Sequence, residues 1–137
     1  MFKYFAKRSN VSEIYREGRM AYSEKFKELF MHPRHAQEIE YTHTAEVVYP
    51  DHGDRVRIFM RIENYLIKDV AFKAYGCPRV IAASEAVCRL VNGKHIDSVK
   101  MLNEEHIRQE MEFFDKGFDC IRAPLEALKK IISRFES

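Results

Sequence analysis

The chain is short of cysteine, of net charge and of long apolar runs, and each shortage excludes something. Three cysteines are an odd number, read as free thiols in a reducing compartment and not as a disulfide framework. No two of them have C-x-x-C spacing, so spacing alone establishes no metal site. The net charge is only +2, with both signs interspersed, which argues against nucleic acid or a membrane surface as the main partner. No apolar run approaches the roughly 18 residues of a membrane span. Repeats, low-complexity tracts and interdomain linkers are missing too, as is the apolar stretch of a secretory signal. A cytoplasmic protein is expected, or one of the mitochondrial matrix if the source is a eukaryote.

What is present is an ordinary globular composition, 46% hydrophobic and 32% charged, in a chain of 137 residues, enough for one domain with a real core. Residues 1–19 stand apart: Lys3, Lys7, Arg8, Arg16 and Arg19 accompany Phe2, Tyr4 and Phe5. Glu13 and Glu17 count against a transit peptide. The stretch reads as a terminal extension, either a plain arm or an aromatic–basic contact for a partner protein. The domain proper is expected over 20–137.

Within it, Ser23 is expected to cap a short helix that ends before Pro33. Strands are expected at 44–49, 56–62 and 67–75, the last two joined by a hairpin around Asn64-Tyr65. In the second, Val56, Ile58, Met60 and Ile62 alternate with Arg55, Arg57, Phe59 and Arg61, which predicts one wet, arginine-rich face. Short helices follow at 96–101 and at 103–113, the latter capped by Asn103. A last helix is expected over 123–134, with a buried stripe of Ile121, Leu125, Leu128, Ile132 and Phe135. The fold class is α+β: a three-stranded antiparallel sheet packed against several helices on one face.

The most informative stretch is 70–91. Val70, Phe72 and Ala74 alternate like strand residues, Gly76 breaks the pattern, and Pro78 opens a helix whose apolar positions are Val80, Ile81, Ala83, Val87 and Leu90. Cys77 therefore sits at a strand-to-helix junction, where free N–H groups and the helix dipole favour a thiolate. Asn92-Gly93 supplies the stop.

Tyr75-Gly-Cys-Pro-Arg-Val-Ile-Ala-Ala-Ser84, the upstream Gly53-Asp54 and the downstream Asp119-Cys120 resemble the NifU/IscU-type iron–sulfur cluster assembly scaffold family. So do Met20-Ala-Tyr-Ser-Glu-Lys25, His32-Pro-Arg34 and Val91-Asn-Gly-Lys94, in the same order and at similar spacing. The resemblance spans about residues 20–135. It implies the α+β fold above, with the loops carrying His52/Asp54, Cys77 and Cys120 meeting at one end. The implied ligand set is His52, Asp54, Cys77 and Cys120, with His52 in the place of the family's first cysteine. Such a set suits a [2Fe–2S] cluster, or Zn2+ or Fe2+. The implied role is a scaffold or carrier, not an enzyme. Cys120 would accept persulfide sulfur from a cysteine desulfurase, and a chaperone and recipient apo-proteins would be further partners. The protein would act as a monomer or as a homodimer bridged by the cluster. Two other readings remain: a zinc-bound persulfide relay, and a degenerate paralogue that regulates a desulfurase.

The chain also departs from the family pattern. Pro78-Arg79 replaces Gly-Ser after the central cysteine, Asp119 stands where histidine is usual, and no proline-containing chaperone segment precedes Cys120. Cys88 reads as a small buried apolar residue. His32 and His35 read as helix-end caps, and His43, His95 and His106 as surface residues. Arg79 and Lys116 read as solvated charges, with Asp54 or Asp119 as alternative partners for Arg79.

Overall fold

The computed structural model describes residues 22–51, 53–115 and 119–135. The expectations for residues 1–19, His52 and Lys116 lie outside these. Three strands, β1 (His43–Tyr49), β2 (Asp54–Glu63) and β3 (Leu66–Tyr75), form an antiparallel meander in the order β1-β2-β3. Helices α1 (Glu24–Met31), α2 (Pro78–Val91), α3 (Ile96–Val99), α4 (Glu104–Met111) and α5 (Arg122–Ile132) complete the domain, with a 3-10 turn at Asp119–Ile121 leading into α5.

Local chemistry explains the boundaries. Ser23 Oγ accepts the Phe26 N–H at the start of α1. The β2–β3 turn places Asn64 and Tyr65 at φ 54° and 64°, the two positive angles of a type I′ hairpin. At α4, Asn103 and His106 exchange backbone N–H groups in a reciprocal cap, and the helix ends earlier than expected because Glu112 turns left-handed at φ 54°.

The core lies between the inner sheet face (Val56, Ile58, Met60, Val70, Phe72) and α2 with α5. Helix α2 is buried nearly all round, and the small side chains Ala82, Ala83 and Ala86 let sheet and helices approach it closely. Cys88 is fully buried in that core, and burial pushes its thiol well above the ordinary value.

Two expectations need correction. The outer sheet face is not uniformly wet: Phe59 is 3% exposed and Ala71 is 0%. The segment after α1 explains this. His35 C=O accepts the Phe72 N–H on the free edge of β3, and the chain then crosses the sheet so that Tyr41 packs on Phe59 at 5.2 Å. The cover is local to Phe59 and Ala71; Arg55, Arg57 and Arg61 on either side stay accessible. The buried face of α5 is also rotated from the expected stripe. Ala123, Ala127, Leu128, Ile131 and Ile132 are buried while Leu125 and Phe135 are only partly so, because α5 packs on β1, β2 and α2 together.

One feature had no counterpart in the sequence reading. Glu85, in the middle of α2, has a fully buried side chain. One oxygen accepts the His35 backbone N–H at 2.9 Å; the other accepts from Arg89 Nε at 2.7 Å and lies 2.8 Å from His35 Nδ1. Arg89 reaches on to both oxygens of Glu28 at 2.8 and 3.1 Å. His35 is thus a clamp across the start of the crossing segment and not only a helix-end residue. His32 does close α1, through its backbone N–H to Glu28 C=O.

Candidate metal centre

Register sets the site. Asp54 opens β2 opposite Tyr49, and the next pair, Arg55 with Tyr75, brings Asp54 beside Gly76 at the end of β3. Gly76 has φ +140°, and a Cβ there would overlap the Asp54 carboxylate. The absence of a side chain lets that carboxylate lie against the backbone and accept the Cys77 N–H at 3.2 Å. Cys77 then occupies the N-cap of α2, with Pro78 fixing the first helical residue. The 3-10 turn before α5 packs on α2 and delivers Cys120 from the other side.

The two sulfurs lie 3.3 Å apart. Asp54, Cys77 and Cys120 offer one donor atom each, all within 4.8 Å of one another, and this is the one such group of three found among the described residues. Asp54 and Cys120 are buried and Cys77 partly so.

Proximity splits the two thiols. The hydrogen bond from Cys120 draws Cys77 down to about 7, against burial and Asp54, with help from Arg79 and the Val80 N–H at the helix start. The same bond, with burial and the charges of Cys77 and Asp54, drives Cys120 well above the ordinary range. The two thiols therefore titrate as a pair, one proton leaving more readily than from an ordinary thiol and the other less. Asp119, next to Cys120 in the chain, faces Arg122 at 3.6 Å with its side chain 61% exposed. Asp54 is the carboxylate that acts on both thiols. Arg79 is half-buried, and its Nη1 donates to Tyr22 Oη at 2.6 Å.

The donor set fits a thiophilic divalent ion. Two Zn–S bonds of about 2.3 Å in a tetrahedron place sulfurs about 3.8 Å apart, so the pair at 3.3 Å need open by only about half an ångström. A carboxylate and two thiolates leave a fourth position of the tetrahedron to be filled.

Gly76→Ala tests this local design. The substitution is expected to cost about 1–3 kcal/mol of stability, from the positive φ and the displaced carboxylate, and to weaken zinc binding in the same variant. Urea unfolding and a zinc titration check it; unchanged values in both would contradict the close approach of Asp54 to the backbone.

Only the family resemblance pointed to a meeting of Cys77 and Cys120, since 43 positions separate them and the packing of the 3-10 turn on α2 is what joins them. Arg79 at the site was signalled only by its place two residues after Cys77.

Known proteins bear out the fold and the lineage. The iron–sulfur cluster assembly scaffold protein IscU of Escherichia coli is 29% identical over 123 residues, 86% of this chain and 96% of that one. The iron–sulfur cluster assembly protein IscU of Plasmodium falciparum is 28% identical over 131 residues, 93% of this chain and 81% of the other. Among solved structures, the N-terminal NifU-like protein of Brucella abortus has a TM-score of 0.67 at 17% identity, covering 92% of this chain and 96% of that one. The SUF-system scaffold protein of Fervidobacterium islandicum gives 0.70 at 19%, over 81% and 96%. The model of the NifU-like N terminal domain matches residues 21–137, and the chain belongs to that family.

Proposed function

We propose that this protein is an iron–sulfur cluster assembly scaffold: a carrier that receives iron and sulfur at the Asp54–Cys77–Cys120 centre and passes the product on. The observation that carries the reading is the convergence of two sulfurs and a buried carboxylate, within 4.8 Å of one another, at the meeting of three chain segments. The role by which the Escherichia coli and Plasmodium relatives are named supports it. The cargo is a [2Fe–2S] cluster, with Fe2+ or Zn2+ as the simpler occupant, and His52 serves as the fourth ligand. Two thiolates and an imidazole resemble the mixed ligation that raises the potential of Rieske centres. A cluster held here is therefore less reducing than one on three cysteines.

Sulfur arrives as a persulfide on a cysteine desulfurase. The receiving thiolate attacks the outer sulfur, the S–S bond of the donor breaks, and the desulfurase cysteine leaves as a thiolate, so a persulfide forms here with no net redox change. A divalent ion held at the site would keep both sulfurs ionised as ligands. Cys120 is then the acceptor, at the start of α5, while Cys77 remains at the helix N-terminus as a ligand.

Anaerobic reconstitution with ferrous iron and sulfide tests the reading. Visible absorption with about two irons per stable unit is expected. Stoichiometric zinc with no cluster points to a zinc relay, and no metal at all points to a regulatory paralogue. A Cys120→Ser variant that a desulfurase still labels with persulfide moves the acceptor role to Cys77.

A further inference from the structure

Arg79 sits where a cation is electrostatically out of place. It lies in the first turn of α2, whose N-terminus already carries partial positive charge. No acidic residue shares that turn. An exposed side chain would swing into water, yet this one is half-buried and anchored. Tyr22 Oη accepts from Nη1 at 2.6 Å, and the Tyr22 ring is itself fixed, stacked on Phe26 at 4.3 Å and 7° and tilted against Phe113 at 5.7 Å. Buried though it is, its charge acts on both thiols, favouring the thiolate of Cys77 and of Cys120. The anchor thus holds a permanent positive charge in the first turn after Cys77, within electrostatic reach of both sulfurs and in a place that the helix alone disfavours.

We infer that Arg79, pinned by Tyr22, is the fixed counter-charge of the Asp54–Cys77–Cys120 set, a positioning residue that tunes the site for a guest of charge two. The inference rests on the metal-binding reading above and adds to it. Two thiolates and one carboxylate carry three negative charges. A divalent ion, or an oxidised [2Fe–2S] core of the same charge, leaves one. The guanidinium cancels that last charge, so the loaded site is neutral, which a largely buried position favours. A neutral residue at 79 leaves the loaded site anionic beside a buried carboxylate. Arginine also cannot lose its proton to a departing thiol, as lysine or histidine can.

The test is zinc affinity, measured by competition with a chromophoric chelator, for the wild-type chain and the Arg79→Gln, Arg79→Lys and Tyr22→Phe variants. Thermal midpoints of the zinc-free proteins are recorded alongside. Arg79→Gln is expected to weaken zinc binding about tenfold, with a zinc-free midpoint no lower than wild type, since a cation leaves a helix N-terminus. Arg79→Lys should recover most of that loss, and Tyr22→Phe should fall between wild type and Arg79→Gln. Equal affinity in wild type and Arg79→Gln overturns the inference. So does an equal loss in the Lys and Gln variants, which would assign the effect to shape and not charge. Should Arg79→Gln fail to fold, Arg79→Lys and Tyr22→Phe decide: wild-type affinity in Tyr22→Phe overturns the role of the anchor. A wild-type chain that binds no zinc or iron sinks the metal reading itself, a separate result.

Discussion

Replacing Glu85 by alanine is expected to destabilise the protein by about 3–5 kcal/mol, the usual cost of removing one partner from a buried ion pair. The side chain is fully buried; one oxygen takes the His35 N–H and the other takes Arg89 Nε, with His35 Nδ1 against that same oxygen. Its loss leaves the His35 N–H without its acceptor and frees the segment that crosses from α1 to the sheet. Arg89 keeps Glu28 on the surface side, so the charge of Arg89 is only half stranded. Glu85→Gln keeps an acceptor and should cost clearly less. Burial raises the Glu85 pKa, but the bonds from His35 and Arg89 outweigh it and hold the carboxyl below its ordinary 4.5. A depressed pKa contributes stability above the unfolded value, lost as pH falls through the folded one. The difference between wild type and Glu85→Gln should therefore shrink below about pH 4.5. Urea unfolding at several pH values measures all of this; a cost below about 1 kcal/mol for Glu85→Ala would show the network to be dispensable.

The second large effect belongs to the sulfur pair. Cys120→Ala removes a ligand and the donor that lowers Cys77. Zinc affinity should fall more than about 100-fold, since a thiolate ligand contributes several kcal/mol to such a site. In the zinc-free protein the alkylation of Cys77 by iodoacetamide should lose its midpoint near pH 7. With the hydrogen bond gone, burial and Asp54 are left to raise the thiol, opposed only by Arg79 and the helix start. Alkylation at pH 7 is then slower in the variant and catches up only in alkali. An unshifted midpoint would show that Cys120 is not the group acting on Cys77. Cys88 does not confuse the measurement, being fully buried with its thiol raised.

These two effects mark what could be read from the residues and what could not. The meander and α2 were legible because period-two alternation meets Gly76 and Pro78 at a sharp change of pattern. The hairpin was legible at Asn64-Tyr65 for the same local reason. Glu85 was not, since a lone acid in an apolar helix shows neither its partner nor its burial until His35 arrives from 50 positions away. Phe59 likewise alternated with arginines, and nothing in its own strand indicates that Tyr41 will cover it. The turn of α5 was misjudged because three elements share its buried face, and a single stripe describes only one contact. At the site, the residue types and their segments were legible through the family resemblance. The opposite shifts of the two thiols and the anchoring of Arg79 by Tyr22 were not, because both depend on distances of a few ångströms set by tertiary packing.

The central claim is that Cys77 and Cys120 hold one metal ion together. X-ray absorption at the zinc edge of the zinc-loaded protein addresses it directly. Two sulfur neighbours at about 2.3 Å are expected, with nitrogen or oxygen neighbours at about 2.0–2.1 Å completing four. A shell with one sulfur or none would contradict the account.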